Sequence, residues 1–398
     1  MKTALFLPLA LAAAAPLERR QGVTDFLLGL MPASYSASPA SVQSATPKLR
    51  SDAQRKVTRY GPFTLPPMKD EPKMEAGHSH GGGPGAMTQP GKTGGLAEML
   101  SILTAQQAMD PNGFSTFKML KKGAMCTDCT VLSGKMQVVW ANGTAAKIEG
   151  GVYLHHAIAI DLSKSLSGFV TACPTNVTFA GKPLKAGGAG GINTFIGGAV
   201  DDFTQFYTTR DGRFPSGYYI KDNNFAIQAE MINYLKEPQQ VYIETDLEFL
   251  PGKVGSDAEQ GVLSAVGCDG KNFAWKPAKN TAGVVATDGY EVYRNGHIVL
   301  ARGHMHDGGT GVNMYINGKL YCASKAIYGG PGGTITVDGK TWSTIGTMTE
   351  CNDPVAVKVG DKIRLEATYD TKEHPLRESH GMEQENMGIM TMVFAPDA

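Results

Sequence analysis

The sequence predicts an all-β protein of two consecutive antiparallel β-sandwiches of the jelly-roll kind, preceded by a disordered amino-terminal arm. The 49 glycines and 22 prolines, with few long helical patterns, favour a turn-rich β protein. A hydrophobic content of 42% over 398 residues is enough to fill two cores. No alternation of strands with helices is visible, so two sandwiches fit the sequence better than an α/β architecture.

The chain begins with a pattern typical of an exported protein. Met1-Lys2 precedes an apolar run that ends at Ala15, and Arg19-Arg20 follows as a dibasic processing site. Residues 1–20 are therefore predicted to be a signal peptide and short pro-segment. We expect a secreted, extracellular protein, either free or associated with a cell wall.

Residues 21–95 are rich in Ser, Ala, Pro and Gly and predict a low-complexity arm or linker. The arm contains His78-Ser79-His80, which we interpret as solvated linker rather than as a metal site. A short helical pattern follows over residues 96–109.

Strands dominate the rest of the chain, and Pro251-Gly252 marks the predicted boundary between a first sandwich (96–250) and a second (251–398). Asn317-Gly318 and Asp338-Gly339 are strong hairpin signals. The predicted strands are Met136–Trp140, Gly151–Asp161, Phe225–Tyr234, Gln240–Leu250, Glu291–Arg302, Gly311–Ile316, Lys319–Ala326, Thr334–Val337, Lys362–Tyr369 and Gly388–Phe394.

The charge is balanced, with 37 basic and 37 acidic residues, so bulk electrostatics favour neither nucleic acid nor a membrane surface as a partner. No stretch after the leader approaches the 18 apolar residues of a membrane span. The composition leaves the oligomeric state open. Asn142-Gly-Thr and Asn176-Val-Thr are acceptor sequences that predict a glycoprotein.

Six cysteines in an exported chain predict disulfide bonds. Cys126-x-x-Cys129 lacks a second CxxC and a thioredoxin-like context, so we interpret it as a structural bridge rather than a redox or zinc motif. Cys322 and Cys351 flank a glycine-rich hairpin region and form a natural pair.

The segment Arg302–Gly309 contains His304 and His306 two residues apart, before an alternating strand. On an extended strand both rings project to the same face, about 7 Å apart along the chain. Neutral imidazole suits copper, zinc, iron and nickel. The alternative is two surface histidines on a half-exposed strand.

A second histidine pair, His155-His156, lies inside an apolar strand. Adjacent strand residues point to opposite faces, so the pair can share a metal only if a bulge turns both rings to one side. The alternative places one ring in the core and the other in solvent. Two histidines in an apolar strand are costly unless they have partners, which favours ligation.

Methionines alternate along the last strand, from Met387 to Met392. They could be core residues, but thioether sulfur is also a soft ligand that suits Cu(I). Two histidines of one strand with a methionine of another, namely His304, His306 and Met387, would form a His2Met copper site.

This order of motifs, an HH pair, then H-x-H, then a late methionine, resembles the copper type II, ascorbate-dependent monooxygenases, such as peptidylglycine α-hydroxylating monooxygenase and dopamine β-monooxygenase. The resemblance covers about residues 130–395 and is carried by short motifs: R-x-H-x-H, which leads into the Asn317-Gly318-Lys319 hairpin, and the stretch Asn386–Met392. It implies two sandwiches that face a solvent cleft with one copper on each side. It also implies hydroxylation of a C–H bond with dioxygen, with ascorbate as reductant.

By the same resemblance, His304, His306 and Met387 match the oxygen-activating copper site, and His155 and His156 match two ligands of the electron-storing copper. Arg302 matches the arginine that holds a peptide carboxylate, and it is the candidate catalytic residue.

Two departures from the family pattern are visible. The stretch Phe225–Tyr234, where a third histidine ligand is expected, contains Asn233 instead. A replacement would have to come from one of the remaining histidines, which are His78, His80, His297, His374 and His380. Thr391 stands where the family has a carboxylate-anchoring tyrosine, so peptide amidation is disfavoured.

Three functions remain open on the sequence. The first is a secreted copper monooxygenase acting on an unidentified small molecule or peptide. The second is a protein that binds or sequesters one or two copper ions without turnover. The third is a metal-free surface or glycan-acting protein built on paired sandwiches.

Overall fold

The computed structural model describes residues 35–68, 113–121, 125–164, 168–171, 178–179, 182–183, 185–186, 194–199, 203–267, 273–330, 333–337, 340–379, 382–383 and 385–397. The expected leader and pro-segment and the helical pattern at 96–109 lie outside these residues. So do the following candidate residues: His78, His80, Cys173, Asn176, Cys268 and His380.

The described residues contain short and long strands but no α-helix, and a 3₁₀ turn spans Ile148–Gly150. The strands up to Pro251 are β1 (Ser36–Ala37), β2 (Pro39–Ala45), β3 (Gln54–Leu65), β4 (Gly113–Leu120), β5 (Cys129–Val139), β6 (Val152–Asp161), β7 (Val170–Thr171), β8 (Thr178–Phe179), β9 (Lys182–Pro183), β10 (Lys185–Ala186), β11 (Thr194–Gly198), β12 (Thr204–Phe206), β13 (Ser216–Ile220), β14 (Phe225–Asn233) and β15 (Gln239–Pro251). The later strands are β16 (Ser256–Asp257), β17 (Glu259–Ser264), β18 (Ala274–Trp275), β19 (Ala282–Val292), β20 (Gly296–His304), β21 (Gly309–Ile316), β22 (Lys319–Tyr328), β23 (Thr334–Val337), β24 (Lys340–Ser343), β25 (Ile345–Met348), β26 (Glu350–Cys351), β27 (Val355–Val357), β28 (Lys362–Asp370), β29 (Glu378–Ser379), β30 (Met382–Glu383), β31 (Asn386–Met387) and β32 (Ile389–Pro396).

Two sheets enclose the first hydrophobic core. One sheet has the order β1-β4-β14-β6-β11, and the other has the order β16-β13-β5-β15-β3-β2, with β12 also paired to β5. Inward side chains of both sheets meet in one cluster, for example Leu154 and Ile227 of the first with Val138 and Ile243 of the second. This arrangement confirms the predicted all-β sandwich fold.

Two further sheets enclose the second core, with the orders β10-β7-β19-β28-β21-β22-β25 and β17-β32-β20-β26; β27 also pairs with β20. Strand β20 contributes to both cores. Ile298 and Ala301 lie in the second core, whereas Val299 and Leu300 lie in the first. Because one sheet is shared in this way, the end of β20 is held close to the first sandwich.

The segment 35–68 differs from the arm expected there. Strand β3 pairs with β15 on one side and with β2 on the other, and Tyr60 and Leu65 are fully buried. Arg55 and Arg59 of β3 form ion pairs with carboxylates of β15, at 2.6 and 2.7 Å. The expectation of disorder is wrong for these residues, because their pairing partner is supplied by a strand almost 190 residues later, β15, which local composition cannot reveal.

Several local predictions are confirmed. Asn317 and Gly318 have φ values of 51° and 76°, as the tight hairpin between β21 and β22 requires. Disulfides join Cys126 to Cys129 and Cys322 to Cys351. The predicted strand Glu291–Arg302 is wrong as a single element, because β19 ends at Val292 and β20 begins at Gly296.

Among the described residues, no helix has the length and apolar character needed to cross a membrane.

Candidate metal centre

A β-bulge turns the two histidines of β6 to the same side. In the β6–β14 ladder, His156 pairs with Glu230 and Leu154 pairs with Met231, so His155 is an additional residue without its own partner. The bulge interrupts the strict alternation of side chains. As a result the ring centroids of His155 and His156 lie 4.2 Å apart. From the sequence, such a bulge is required if the two histidines are to share a metal.

The second histidine pair lies at the end of β20, which ends at His304. The intervening Met305 is buried in the second core, so His304 and His306 project away from it, with ring centroids 5.6 Å apart. The turn after His306 is closed by a hydrogen bond from the Gly309 N–H to the His306 carbonyl at 3.0 Å. Gly308 in this turn has a φ of 94°, which favours glycine.

The two pairs meet in one cluster of four imidazole rings at the junction of the sandwiches. Nε2 of His156 is 3.3 Å from Nε2 of His304. The ring centroid of His306 lies 5.6 Å from that of His155 and 5.9 Å from that of His156. Nitrogen atoms of His155, His156 and His306 all lie within 4.8 Å of one another. The arrangement is a single cluster and not the two separated sites that the resemblance implies.

The additional histidines beside the HH pair therefore come from the H-x-H motif itself. Among the other histidines that the structure describes, His297 lies 3.5 Å from Asp397 and against Phe214, and His374 stacks on Tyr328. Asn233 has a structural role: its side-chain amide donates to the carbonyls of Pro66 and Glu237.

Hydrogen bonding fixes the tautomer of His306. Its Nδ1 lies 3.1 Å from the backbone carbonyl of Glu385, and a carbonyl can only accept, so Nδ1 carries the proton and donates. Nε2 then carries a lone pair, and this atom is buried without a hydrogen-bond partner. A buried lone pair on a ring that lies among other imidazoles is suited to an ion.

Burial keeps two of the rings neutral. Burial lowers the pKa of His156 well below 6.5, and repulsion from His155, His304, His306 and Arg377 lowers it further. Burial likewise lowers the pKa of His306 well below 6.5, despite the opposing hydrogen bond to Glu385. Imidazole binds a metal only in its neutral form, so both rings are in the ligating state at neutral pH.

A small pocket opens beside His155 and His306, and Arg377 lines it. The Arg377 guanidinium lies 4.9 Å from the centre of the Tyr153 ring and donates to the Tyr234 hydroxyl at 3.0 Å. Asp307 lines the same pocket and accepts a hydrogen bond from Thr344 Oγ1 at 2.8 Å; burial raises the pKa of its carboxyl group. Charged and polar residues therefore line a pocket that adjoins the imidazoles.

The late methionines divide into two groups. Met390 and Met392 are fully buried in the second core, as expected for a strand that packs between sheets. Met387 is half-buried on β31, where it pairs with Ala274. Glu385, two residues earlier, contacts His306, so this segment lies beside the cluster, whereas coordination by the Met387 sulfur remains a prediction.

Arg302 lies in the interior. The residue is 4% exposed, its Nε donates to the Met348 carbonyl at 3.3 Å, and its guanidinium lies over the Phe203 ring. These contacts give Arg302 a structural role, and its role as a substrate anchor remains a prediction.

Sequence reasoning missed two charged residues near the cluster, Glu230 and Arg377. Glu230 had a detectable signal, because it is an acidic residue inside the apolar run from Phe225 to Ile232. Arg377 lies in an irregular segment and carries no comparable signal. Glu385 contributes its backbone carbonyl to the cluster. Every residue has such a carbonyl, so this contact could not be predicted from the residue type.

Comparisons with known proteins agree with these observations at a coarse level. Residues 270–393 match the family SURNod19, described as stress up-regulated Nod 19. The chain is 24% identical over 270 residues to the "Probable copper-dependent oxygenase M1" of Phoma sp., a match that covers 66% of this chain and 63% of that protein. It is 25% identical over 256 residues to the "Probable copper-dependent oxygenase clz3" of Cochliobolus lunatus, covering 63% and 74%.

Among solved structures, PNGF-II aligns over 73% of this chain and 62% of its own, with 12% identity and a TM-score of 0.32, a likeness too low to support any inference. The match to the Phoma protein spans less than two thirds of that relative's length. The histidine cluster thus occurs in a chain that is similar, over about two thirds of its residues, to two proteins named as copper-dependent oxygenases.

Proposed function

We propose that this chain is a secreted copper protein in which the histidine cluster holds the metal, and that it oxidises a C–H bond of an organic substrate with dioxygen. The observation that carries the proposal is the convergence of three imidazoles from two sandwiches within 4.8 Å, together with the buried, unpartnered Nε2 of His306. Imidazole nitrogens suit several transition metals. The names of the two similar proteins favour copper among them.

The residues that would hold the ion are His155, His156 and His306, with His304 as the adjoining fourth imidazole. Met387 enters the proposal as an additional soft ligand, because the segment that contains it contacts His306 through Glu385. A group of this kind supports one ion per chain, in contrast to the two that the monooxygenase resemblance implies.

The chain contributes the geometry and the protonation state. The bulge at His155 aligns two rings, and the Glu385 carbonyl holds the His306 tautomer with Nε2 available. Burial of His156 and His306 keeps them neutral at neutral pH. Copper, when bound, supplies one-electron redox chemistry and reactivity with dioxygen.

Substrate would approach from the side of the small pocket beside His155 and His306, which Arg377, Asp307 and Glu385 line. Export is supported by the two disulfides, which are typical of oxidising compartments.

The proposal is tested by loading the purified protein with copper, dialysing it and measuring copper per chain by mass spectrometry. We expect one tightly held copper in the wild type and its loss in His306→Ala. His374→Ala is the matched control, because His374 stacks on Tyr328 outside the cluster, and it should retain the metal. Equal copper content in wild type and His306→Ala would refute the assignment.

The oxygenase part of the proposal requires a second measurement. With ascorbate as the proposed reductant, we expect the copper-loaded wild type to consume oxygen, and His306→Ala to consume none above free copper. Retained copper without oxygen consumption across a substrate panel would instead indicate a sequestering protein.

A further inference from the structure

A buried carboxylate lies next to the histidine cluster. Glu230 on β14 is 3% exposed, and its Cα pairs with that of His156 across the ladder. Its Oε2 lies 3.4 Å from Nδ1 of His155. This Nδ1 is itself buried, and at the present ring angle it makes no hydrogen bond. A small rotation of the ring would bring an N–H group onto the carboxylate.

The position of Glu230 favours a supporting role over ligation. The nitrogens of His155, His156 and His306 form a group within 4.8 Å of one another, and the Glu230 carboxylate lies outside that group. It lies beside Nδ1 of His155, which leaves Nε2 as the nitrogen that can face an ion. His306 shows the same pattern, since its Nδ1 donates to the Glu385 carbonyl while Nε2 is free of hydrogen bonds.

The groups that lie beside Nδ1 of His306 and Nδ1 of His155 differ in charge. A backbone carbonyl orients His306, whereas a carboxylate lies beside His155. Arg377 and Asp307 both line the pocket next to the histidines, and Arg377 is a like charge for a cation bound at the cluster. Glu230 adds a buried carboxylate beside His155, and its effect is large because the surroundings are shielded from water.

We propose that Glu230 is a positioning residue of the metal centre, which accepts the Nδ1–H of His155 and supplies the negative charge that selects a divalent over a monovalent ion. The inference rests on the proposed function, since it needs an ion at the cluster. A buried negative charge stabilises Cu(II) and Zn(II) more than Cu(I), because the Coulomb energy scales with the charge of the ion. Removal of a carboxylate that supports a ligating histidine typically weakens metal binding 10–100-fold.

The test uses the full chain with Glu230→Gln, which keeps the size of the side chain and an accepting oxygen but removes the charge. The affinities for Cu(II) and Zn(II) are measured by competition with a chelator of known affinity, and that for Cu(I) with a Cu(I)-specific chelator. We expect about 10–100-fold weaker binding of both divalent ions. Cu(I) should weaken at least tenfold less, and a tenfold difference raises the one-electron reduction potential by about 59 mV.

Two further variants separate positioning from folding. Glu230→Asp retains the charge and should recover most of the Cu(II) affinity and a wild-type-like electron paramagnetic resonance spectrum. Glu244→Gln is the matched control: Glu244 is also buried, at 6% exposure, but it pairs with Arg59 on β3. It should leave all three affinities unchanged.

A wild-type protein that binds neither copper nor zinc overturns the proposed function and this inference with it. A wild type that binds both, beside a Glu230→Gln variant with unchanged affinities, overturns the role of Glu230 alone. Equal losses for Cu(I) and Cu(II) that Glu230→Asp fails to restore would show that Glu230 acts only in folding.

Discussion

The stability of the metal-free protein is expected to fall as the pH falls from 7 to 5. His156 and His306 have pKa values well below 6.5 in the folded state, whereas in the unfolded chain they titrate near 6.5. Below pH 6.5 the unfolded chain therefore binds more protons than the folded protein, and acid favours unfolding. A ring that stays neutral throughout sets the upper limit of this loss, which between pH 7 and pH 5 is about 2 kcal/mol per histidine, or about 4 kcal/mol for both.

The assay is urea denaturation of chelator-treated protein at pH 5, 6 and 7, followed by circular dichroism. His156→Gln/His306→Gln replaces both rings with side chains that do not titrate, so the free energy of unfolding should depend less on pH, by up to about 4 kcal/mol across this interval. His297→Gln is the control for the loss of an imidazole elsewhere in the chain, because His297 is partly exposed and lies outside the cluster. A double variant with the same pH dependence as the wild type would show that these rings do not carry the effect.

Three further outcomes are expected. Gly308→Ala should lower stability by about 1–2 kcal/mol and also weaken copper retention, because a Cβ at φ 94° would meet Leu376 at 2.8 Å in the turn after His306. In the control Gly318→Ala the new Cβ meets nothing within 4 Å, so this variant should lose stability but keep its copper affinity. Equal copper affinities in the two variants would contradict this expectation. Replacing Cys322 and Cys351, 29 residues apart, with alanine should lower the free energy of unfolding by about 4 kcal/mol in chemical denaturation, and an unchanged midpoint would count against the bridge. Copper at a hundredfold excess over its dissociation constant should stabilise the wild type by about 2.7 kcal/mol in thermal melts, whereas no shift would argue against a site formed by folding.

Most long strands could be predicted from their alternation and flanking turns. Strand β14 differs from its prediction by one residue at its end, and β23 has the predicted bounds. Strand β3 could not be predicted, because its Ser- and Pro-rich surroundings resemble a linker and its stability depends on pairing with β15. Local composition indicates only the conformational entropy that such a segment loses on folding, whereas the contacts that offset this loss are made by distant residues.

The four histidines of the candidate site follow from the sequence, but their assembly into one cluster does not. The residues His155, His156, His304 and His306 were identified by spacing, and the need for a bulge at the HH pair followed from strand geometry alone. That the four rings form one cluster depends on β20, which shares its faces between both cores. No spacing along the chain encodes that contact.

The sequence by itself determined the fold class, the cysteine pair Cys322 and Cys351, and the histidines with the chemistry to hold a metal, because these depend on residue type and on periodicities of a few residues. The tertiary structure decided which imidazoles meet, which ring nitrogen is left free, and that Glu230 lies beside His155. Those features depend on contacts between residues far apart in the chain: 79 residues separate His306 from Glu385, and 148 separate His156 from His304, which belong to different sandwiches.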